Sequence, residues 1–142
     1  MGGHDPEILI TERDFDLGRM VCELTTSDMG AVVCFIGTVR DDGILKMELE
    51  VFLEVAQMEL AAISREAMKN FGLMRVSVVH RYGTLEPGDN IVGICVGAGH
   101  RGEAFRGCEY IIDQLKQRVP IWKKEIRRDG SFWLEGDRRV EK

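Results

Sequence analysis

The chain has 142 residues, 44% hydrophobic and 30% charged, with a formal net charge of -5. That length suits one domain around one hydrophobic core, and the composition excludes a largely disordered or collagen-like chain. No apolar run reaches the ~18 residues of a bilayer span, and the opening MGGHDPEILITERD lacks the basic start and apolar segment of a signal peptide, so a single domain over 1–142, cytoplasmic and off the membrane, is expected.

In chain order, alternation in EILITE predicts a first short strand. Asp14 or Asp16 can cap a helix running to about Thr26, with Phe15, Leu17, Met20, Val21 and Leu24 on its apolar side. The β-branched and aromatic run GAVVCFIGTVR predicts a central strand ending in polar RDDG. Residues 44–55 read as extended. AQMELAAISREAMKNFG then reads as a helix with Met58, Ala61, Ala62, Arg65 and Met68 on its periodic face and a stop at Gly72. LMRVSVVHRYG and NIVGICVGAG are predicted strands joined through the turn LEPGD, a hairpin. A helix starting at His100 or Arg101 carries Phe105, Cys108, Ile111, Ile112, Leu115 and Val119 at three- and four-residue spacings, and Pro120 ends it. Residues 121–128 return as a strand, Asp129-Gly130 turns, and SFWLEG pairs back. This order predicts an α+β domain with a largely antiparallel sheet.

The cysteines, Cys22, Cys34, Cys95 and Cys108, are widely spaced and form no CxxC pair, so all four are expected to be reduced and at or near the core. With His4, His80 and His100 scattered among them, no metal site is expected.

Charge is distributed unevenly. In an acidic chain, Lys116, Arg118, Lys123, Lys124, Arg127 and Arg128 crowd one stretch against a single acid, Glu125. Lys116 follows Leu115, which on a helix turns it about 100° to the edge of the apolar stripe, where it is expected to be half-buried. Lys123 lies beyond the turn that Pro120 enforces, a geometry that can set it beside the helix end. Two lysines at one pocket disfavour each other's charge and free an amine as proton carrier or nucleophile. The same spacing also suits ordinary surface lysines, one of them favourable at a helix C-terminus. In GAGHRGEAFRG, His100 and Arg101 open a helix after a glycine-bearing strand end, which offers a phosphate both N–H groups and a guanidinium, or is a plain glycine-rich loop. Arg40 closes GTVRDDG, either facing the same ligand or solvated beside Asp41 and Asp42. Together these cations imply a pocket for a small anion. A non-catalytic module binding RNA or an acidic protein is the rival, disfavoured by the acidic balance and by aromatics at apolar-periodic positions.

The segments GAVVCFIGTVRD, VVHRYGTLEPGDNIVGICV, AGHRGEAFRGCEYIIDQLKQRVPIWKKE and DGSFWLEG, in that order and spacing, resemble the family of the large, catalytic subunit of molybdopterin synthase, the MoaE family. HRGEAF and LKQRVPIWKKE carry most of the likeness, and EVFLEVAQM departs from the tyrosine-bearing segment expected there. The resemblance implies an α/β-hammerhead domain that dimerises, with a small ubiquitin-like sulfur carrier docked at each end to make a heterotetramer. It implies that the carrier's C-terminal Gly-Gly thiocarboxylate delivers sulfur to cyclic pyranopterin monophosphate, forming the dithiolene of molybdopterin, with no permanently bound cofactor or metal. By the same resemblance Lys116 and Lys123 are catalytic, Arg40, His100 and Arg101 bind substrate, and the His100–Arg101 pair serves the neighbouring subunit's site. Arg138 or Arg139 is a further candidate, and Lys124, Arg127 and Arg128 are expected to form a solvated or carrier-facing rim. Retention of both lysines argues against a scaffold that has lost catalysis.

Overall fold

The predicted single sheet is two sheets in the structure, a computed structural model that describes residues 4–135 and 138–140. In chain order the elements are β1 (Glu7–Thr11), α1 (Leu17–Leu24), β2 (Ala31–Thr38), β3 (Lys46–Val51), α2 (Leu53–Phe71), β4 (Leu73–Arg81), β5 (Gly83–Leu85), β6 (Asn90–Ala98), α3 (Arg101–Arg118), β7 (Ile121–Arg127), β8 (Gly130–Glu135) and β9 (Arg138–Val140). The first sheet has the order β1-β4-β6-β2 and the second β5-β3-β7-β8-β9. Every pairing is antiparallel except β1 with β4, so the architecture is α+β, as predicted.

The two sheets share the chain that leaves β4. The β4–β6 hairpin forms, with Val76 opposite Val96 and Val78 opposite Ile94. Its connection is not a plain turn, because Gly83–Leu85 swings out to pair with β3 and becomes an edge of the second sheet. Three residues are too few to show alternation, which is why sequence patterning passed over β5. Strand β9, pairing with β8, was also not anticipated.

The first sheet is covered on both faces. Val76, Val78, Val92, Ile94 and Val96 join the main core under α2 and α3, while Val79 and Cys95 face α1 with Met20 and Leu24. Burying each such aliphatic side chain contributes roughly 1.5–3 kcal/mol. The α1 layer approaches so closely that a Cβ on Gly93 would lie 2.4 Å from the Phe15 ring and one on Gly97 2.3 Å from Met29 Sδ. The strand residues of GICVG are buried within this chain.

Asp16, not Asp14, caps α1, its Oδ1 accepting from the Arg19 amide at 3.2 Å. The stop after α2 is as predicted: Gly72 has φ 70° and donates its amide to the Met68 carbonyl. The buried face of α2 differs from the expected one. It runs through Ala56, Leu60, Ile63, Ser64 and Ala67, and Met58 is 67% exposed. Apolar residues occur around most of this helix, so two stripes fit the helical period and packing against the sheet selects one. On α3, Phe105 is likewise 61% exposed, while Ala104, Gly107, Cys108 and Ile111 are buried. The four cysteines are free, as expected, but Cys22 is exposed instead of near the core. Burial pushes the Cys95 thiol far up, and that of Cys108 up to about 11.

Helices α2 and α3 are tied by ions as well as by packing. Arg118 grips Glu66 through two bonds, Nη1 to Oε1 at 2.6 Å and Nη2 to Oε2 at 2.9 Å, and its Nε donates to Glu59 at 3.2 Å. The Tyr110 hydroxyl donates to the same Glu66 at 2.7 Å. The guanidinium first, and the hydroxyl second, hold the Glu66 carboxyl down at about 2.

Candidate active site

Strand alternation sends the two adjacent lysines of β7 to opposite faces of the sheet. In β7, Lys123 sits opposite Leu49 of β3 and Leu134 of β8, and so shares the face of the buried Leu49 and Glu125. Lys124 projects from the other face, where its Nζ meets Glu48 Oε2 at 3.1 Å and lies 5.2 Å from the Trp133 ring centre. A one-residue step thus separates a half-buried inward lysine from one engaged on the outer surface.

The rim expected from sequence is only partly a rim. Lys124 is held as described, and Arg127 is a clamp: its Nε and Nη2 donate to the two oxygens of Glu125 at 3.0 and 3.1 Å, and its Nη1 and Nη2 reach the Asp42 carbonyl and carboxylate at 3.1 and 3.2 Å. This fixes the loop that follows Arg40 against β7. Among these three cations Arg128 alone is an exposed residue.

Arg40 lies just past β2, whose end is pinned by Val39 N–H to the Asp89 carbonyl at 2.9 Å and Gly88 N–H to the Val39 carbonyl at 2.8 Å. It is exposed. Helix α3 begins beside Ala98, packs back over β2 and β6, and so brings Lys116 in its last turn toward the same end as Arg40. Lys116 is exposed, not half-buried as its edge position predicted, between the half-buried Leu115 and the point at Val119 where burial resumes. The chain then turns at Pro120, with Val119 N–H on the Leu115 carbonyl at 3.1 Å, and enters β7 toward Lys123. Arg40, Lys116 and Lys123 therefore converge on one end of the molecule.

His100 and Arg101 do not join them. They open α3 at its other end, and the fifteen residue steps from Arg101 to Lys116 span about 22 Å at 1.5 Å per residue. Both are exposed, and His100 Nδ1 lies 3.2 Å from Glu103 Oε1. The loop before them is held by close backbone approach, since a Cβ on Gly30 would fall 2.0 Å from the Gly99 carbonyl oxygen. Of the two tail arginines, Arg139 pairs with Leu134 and so shares the face of Lys123, with its guanidinium 3.7 Å from the Phe132 ring centre. The side chain of Arg138 lies outside the described residues.

One residue at the convergence escaped sequence reading. His80, two positions past Val78 on the helix-facing side of β4, is 3% exposed, with Nδ1 2.8 Å from the Arg81 carbonyl. Burial first, and the nearby Lys123 charge with it, hold the imidazole down at about 4 against the opposing carbonyl bond. Strand parity after VVH could have flagged it as an inward polar group. Among the described residues no group of three or more His, Cys, Asp or Glu is placed to hold a metal ion, and no helix is long and apolar enough to cross a membrane.

Known proteins agree with this architecture. The model of the family described as "MoaE protein" matches residues 10–118. A molybdopterin synthase catalytic subunit from Pyrococcus abyssi is 37% identical over 144 residues, covering 99% of this chain and 97% of its own, and one from Ralstonia nicotianae is 44% identical over 92% of this chain and 77% of its own. The solved structure of a molybdopterin biosynthesis MoaE protein from Burkholderia ambifaria superposes with a TM-score of 0.82 at 41% identity, covering 91% of this chain and 88% of that one. With an inward lysine, a helix-end lysine and a strand-end arginine gathered at one end of an α+β frame that matches at this level along nearly its whole length, the chain belongs to the MoaE family, that of molybdopterin synthase catalytic subunits.

Proposed function

We propose that the chain is the sulfur-transferring catalytic subunit of a cytoplasmic molybdopterin synthase, taking sulfur from the C-terminal thiocarboxylate of a small ubiquitin-like carrier and delivering it to cyclic pyranopterin monophosphate. The observation that carries the site is the convergence of Arg40, Lys116 and Lys123, with Lys123 turned inward by the β7 register. An anionic pterin phosphate suits that concentration of positive charge. Arg40 holds the phosphate, and Lys123 holds or protonates the bound substrate from a wall formed by Leu49 and Leu134. Lys116 works at the thiocarboxylate carbonyl, assisting sulfur release or transiently taking the acyl group. It is solvated in the free chain, so the docked carrier tail supplies the desolvation that makes its amine reactive.

The distance along α3 supports reading His100 and Arg101 as serving a different site from the Lys116 of their own chain. In a two-fold dimer each copy's helix start completes the other's pocket, and a carrier at each end makes a heterotetramer. The pterin is a substrate; no resident cofactor is assigned.

The deciding experiment mixes the chain with thiocarboxylated carrier and cyclic pyranopterin monophosphate. Dithiolene product that requires the carrier's Gly-Gly terminus is the expected result. Product formed equally well with a carrier lacking those two residues overturns the proposed route.

A further inference from the structure

We infer that Arg127 is a positioning residue for Arg40: from the strand that also carries Lys123, it holds the 40–43 segment in place and so refers one cation of the site to the other. This rests on the reading of Arg40 as the residue that holds the phosphate and extends it to a side chain that acts through the protein.

The segment after β2 is fastened at both ends. Before it, Val39 N–H donates to the Asp89 carbonyl at 2.9 Å; after it, Ile44 is buried and Leu45 N–H donates to the Ile126 carbonyl at 2.8 Å. Arg40, Asp41, Asp42 and Gly43 between these anchors are exposed, and Gly43, with φ 95°, stands in backbone territory that glycine enters freely. A contact that reaches across to such a segment selects one of many open conformations. Arg127 makes that contact. Its Nη1 donates to the Asp42 carbonyl at 3.1 Å and its Nη2 to Asp42 Oδ1 at 3.2 Å, and the Asp42 amide donates in turn to the Arg40 carbonyl at 3.1 Å. The line of bonds from β7 to the backbone of Arg40 is unbroken.

The guanidinium is itself held. Glu125, 7% exposed, accepts Nε and Nη2 on its two oxygens at 3.0 and 3.1 Å, a forked pair that fixes the plane of the group. Strand β7 is paired on both sides, with β3 and with β8, so the base of the clamp is firm. Residues 123, 125 and 127 share one face, which sets the root of the clamp about 13 Å from that of Lys123 at ~3.3 Å per residue. Arg40 follows a strand of the first sheet and Lys123 belongs to the second, and the clamp is a hydrogen-bonded link between them. With the clamp broken, the cost of ordering the segment falls on phosphate binding, and affinity drops before the chemical step does.

Steady-state kinetics with thiocarboxylated carrier and cyclic pyranopterin monophosphate separate position from charge. Arg127→Ala is expected to raise the KM for the pterin about tenfold with kcat nearly unchanged. It is built alone and together with Glu125→Gln, so that no buried carboxylate is left unpaired in the second chain. Asp42→Ala cuts the side-chain tie from the other end and leaves the Arg127–Glu125 pair intact. By charge alone, removing this acid would tighten phosphate binding, so a rise in KM of about threefold is the expected mark of position. A KM that falls or stays level in Asp42→Ala overturns the inference. Combining Arg127→Ala with Arg40→Ala should give the KM of Arg40→Ala alone, because one residue acts through the other; additive losses overturn the inference. Amide hydrogen exchange adds a readout independent of turnover: exchange at 40–45 is faster in Arg127→Ala, and unchanged exchange there also overturns the inference. An Arg40→Ala chain with unchanged KM would overturn the reading of Arg40 itself, whatever the Arg127 variants do.

Discussion

The two ends of α3 carry similar charge and are built for different tasks. At its start, His100 and Arg101 stand in solvent, with Glu103 near the histidine. At its finish, Arg118 is locked to Glu59 and Glu66, the helix is tied to α2, and the lysine two positions earlier is left facing outward beside the Pro120 turn. The difference teaches that a cation's neighbours, more than its charge, decide its role. A side chain whose bonds are complete holds the frame, and one presented to solvent at the edge of that frame is available to a ligand.

The largest effect should come from the two lysines proposed for the chemistry, one in the last turn of α3 and one beyond it in β7. Lys116→Ala and Lys123→Ala are each expected to lower single-turnover product formation by about 10²–10⁴-fold at saturating carrier, with unfolding temperature nearly unchanged. Normal turnover in Lys116→Ala would place the chemistry elsewhere. Next comes a test of whether the start of α3 serves another copy. Arg101→Ala and Lys116→Ala chains, each inactive alone, should regain a substantial part of wild-type activity when mixed and allowed to exchange subunits, since one pocket per mixed dimer is then intact. No recovery despite exchange shown by mass spectrometry would return both residues to one chain's site.

Locked cations should show themselves in stability. Arg118→Ala is expected to lower the denaturant midpoint measurably, since it removes the two-bond grip on Glu66 and the bond to Glu59. The Glu66 carboxyl titrates near 4.5 when unpaired and at about 2 in the fold. Its contribution is thus complete above about 4.5 and lost as pH falls toward 2, because the unfolded chain binds the proton first. Stability should fall through that window in the parent and fall less in Arg118→Ala. The smallest effect belongs to Lys124→Ala, for which about 0–1 kcal/mol and little change in rate are expected; a rate loss matching that of Lys123→Ala would show that strand parity is not what separates the pair.

Much of this was legible in the sequence, and the gaps have physical causes. The strands GAVVCFIGTVR and NIVGICVGAG, the helix ended by Pro120 and the Asp129-Gly130 hairpin declare themselves through β-branching, periodicity and turn residues. The expected split of Lys116 and Lys123 from a rim of Lys124, Arg127 and Arg128 is not read off exposure, since Lys116 and Arg128 are both exposed and Lys123 is half-buried. Arg127 was misread because its partners, Asp42 and Glu125, come together only through the β3–β7 pairing, to which local pattern is blind. His80 was passed over for a related reason: a histidine after two valines is unremarkable until the fold buries it. The phase of α2 was lost because alanines at 56, 61, 62 and 67 make several faces look alike.

A helix with a proposed site residue at each end is also a measuring rod. Deleting one residue from the middle of α3 would shorten it by about 1.5 Å, a tolerable change, but would also swing Lys116 through about 100° relative to Arg101. Seven residues restore the angle to within about 20° and alter the length by about 10 Å. No small insertion preserves both rotation and reach. Divergence among chains that use this arrangement should therefore accumulate as length changes in connections such as 40–45 and as substitutions along α3, while the number of residues between its two ends stays fixed.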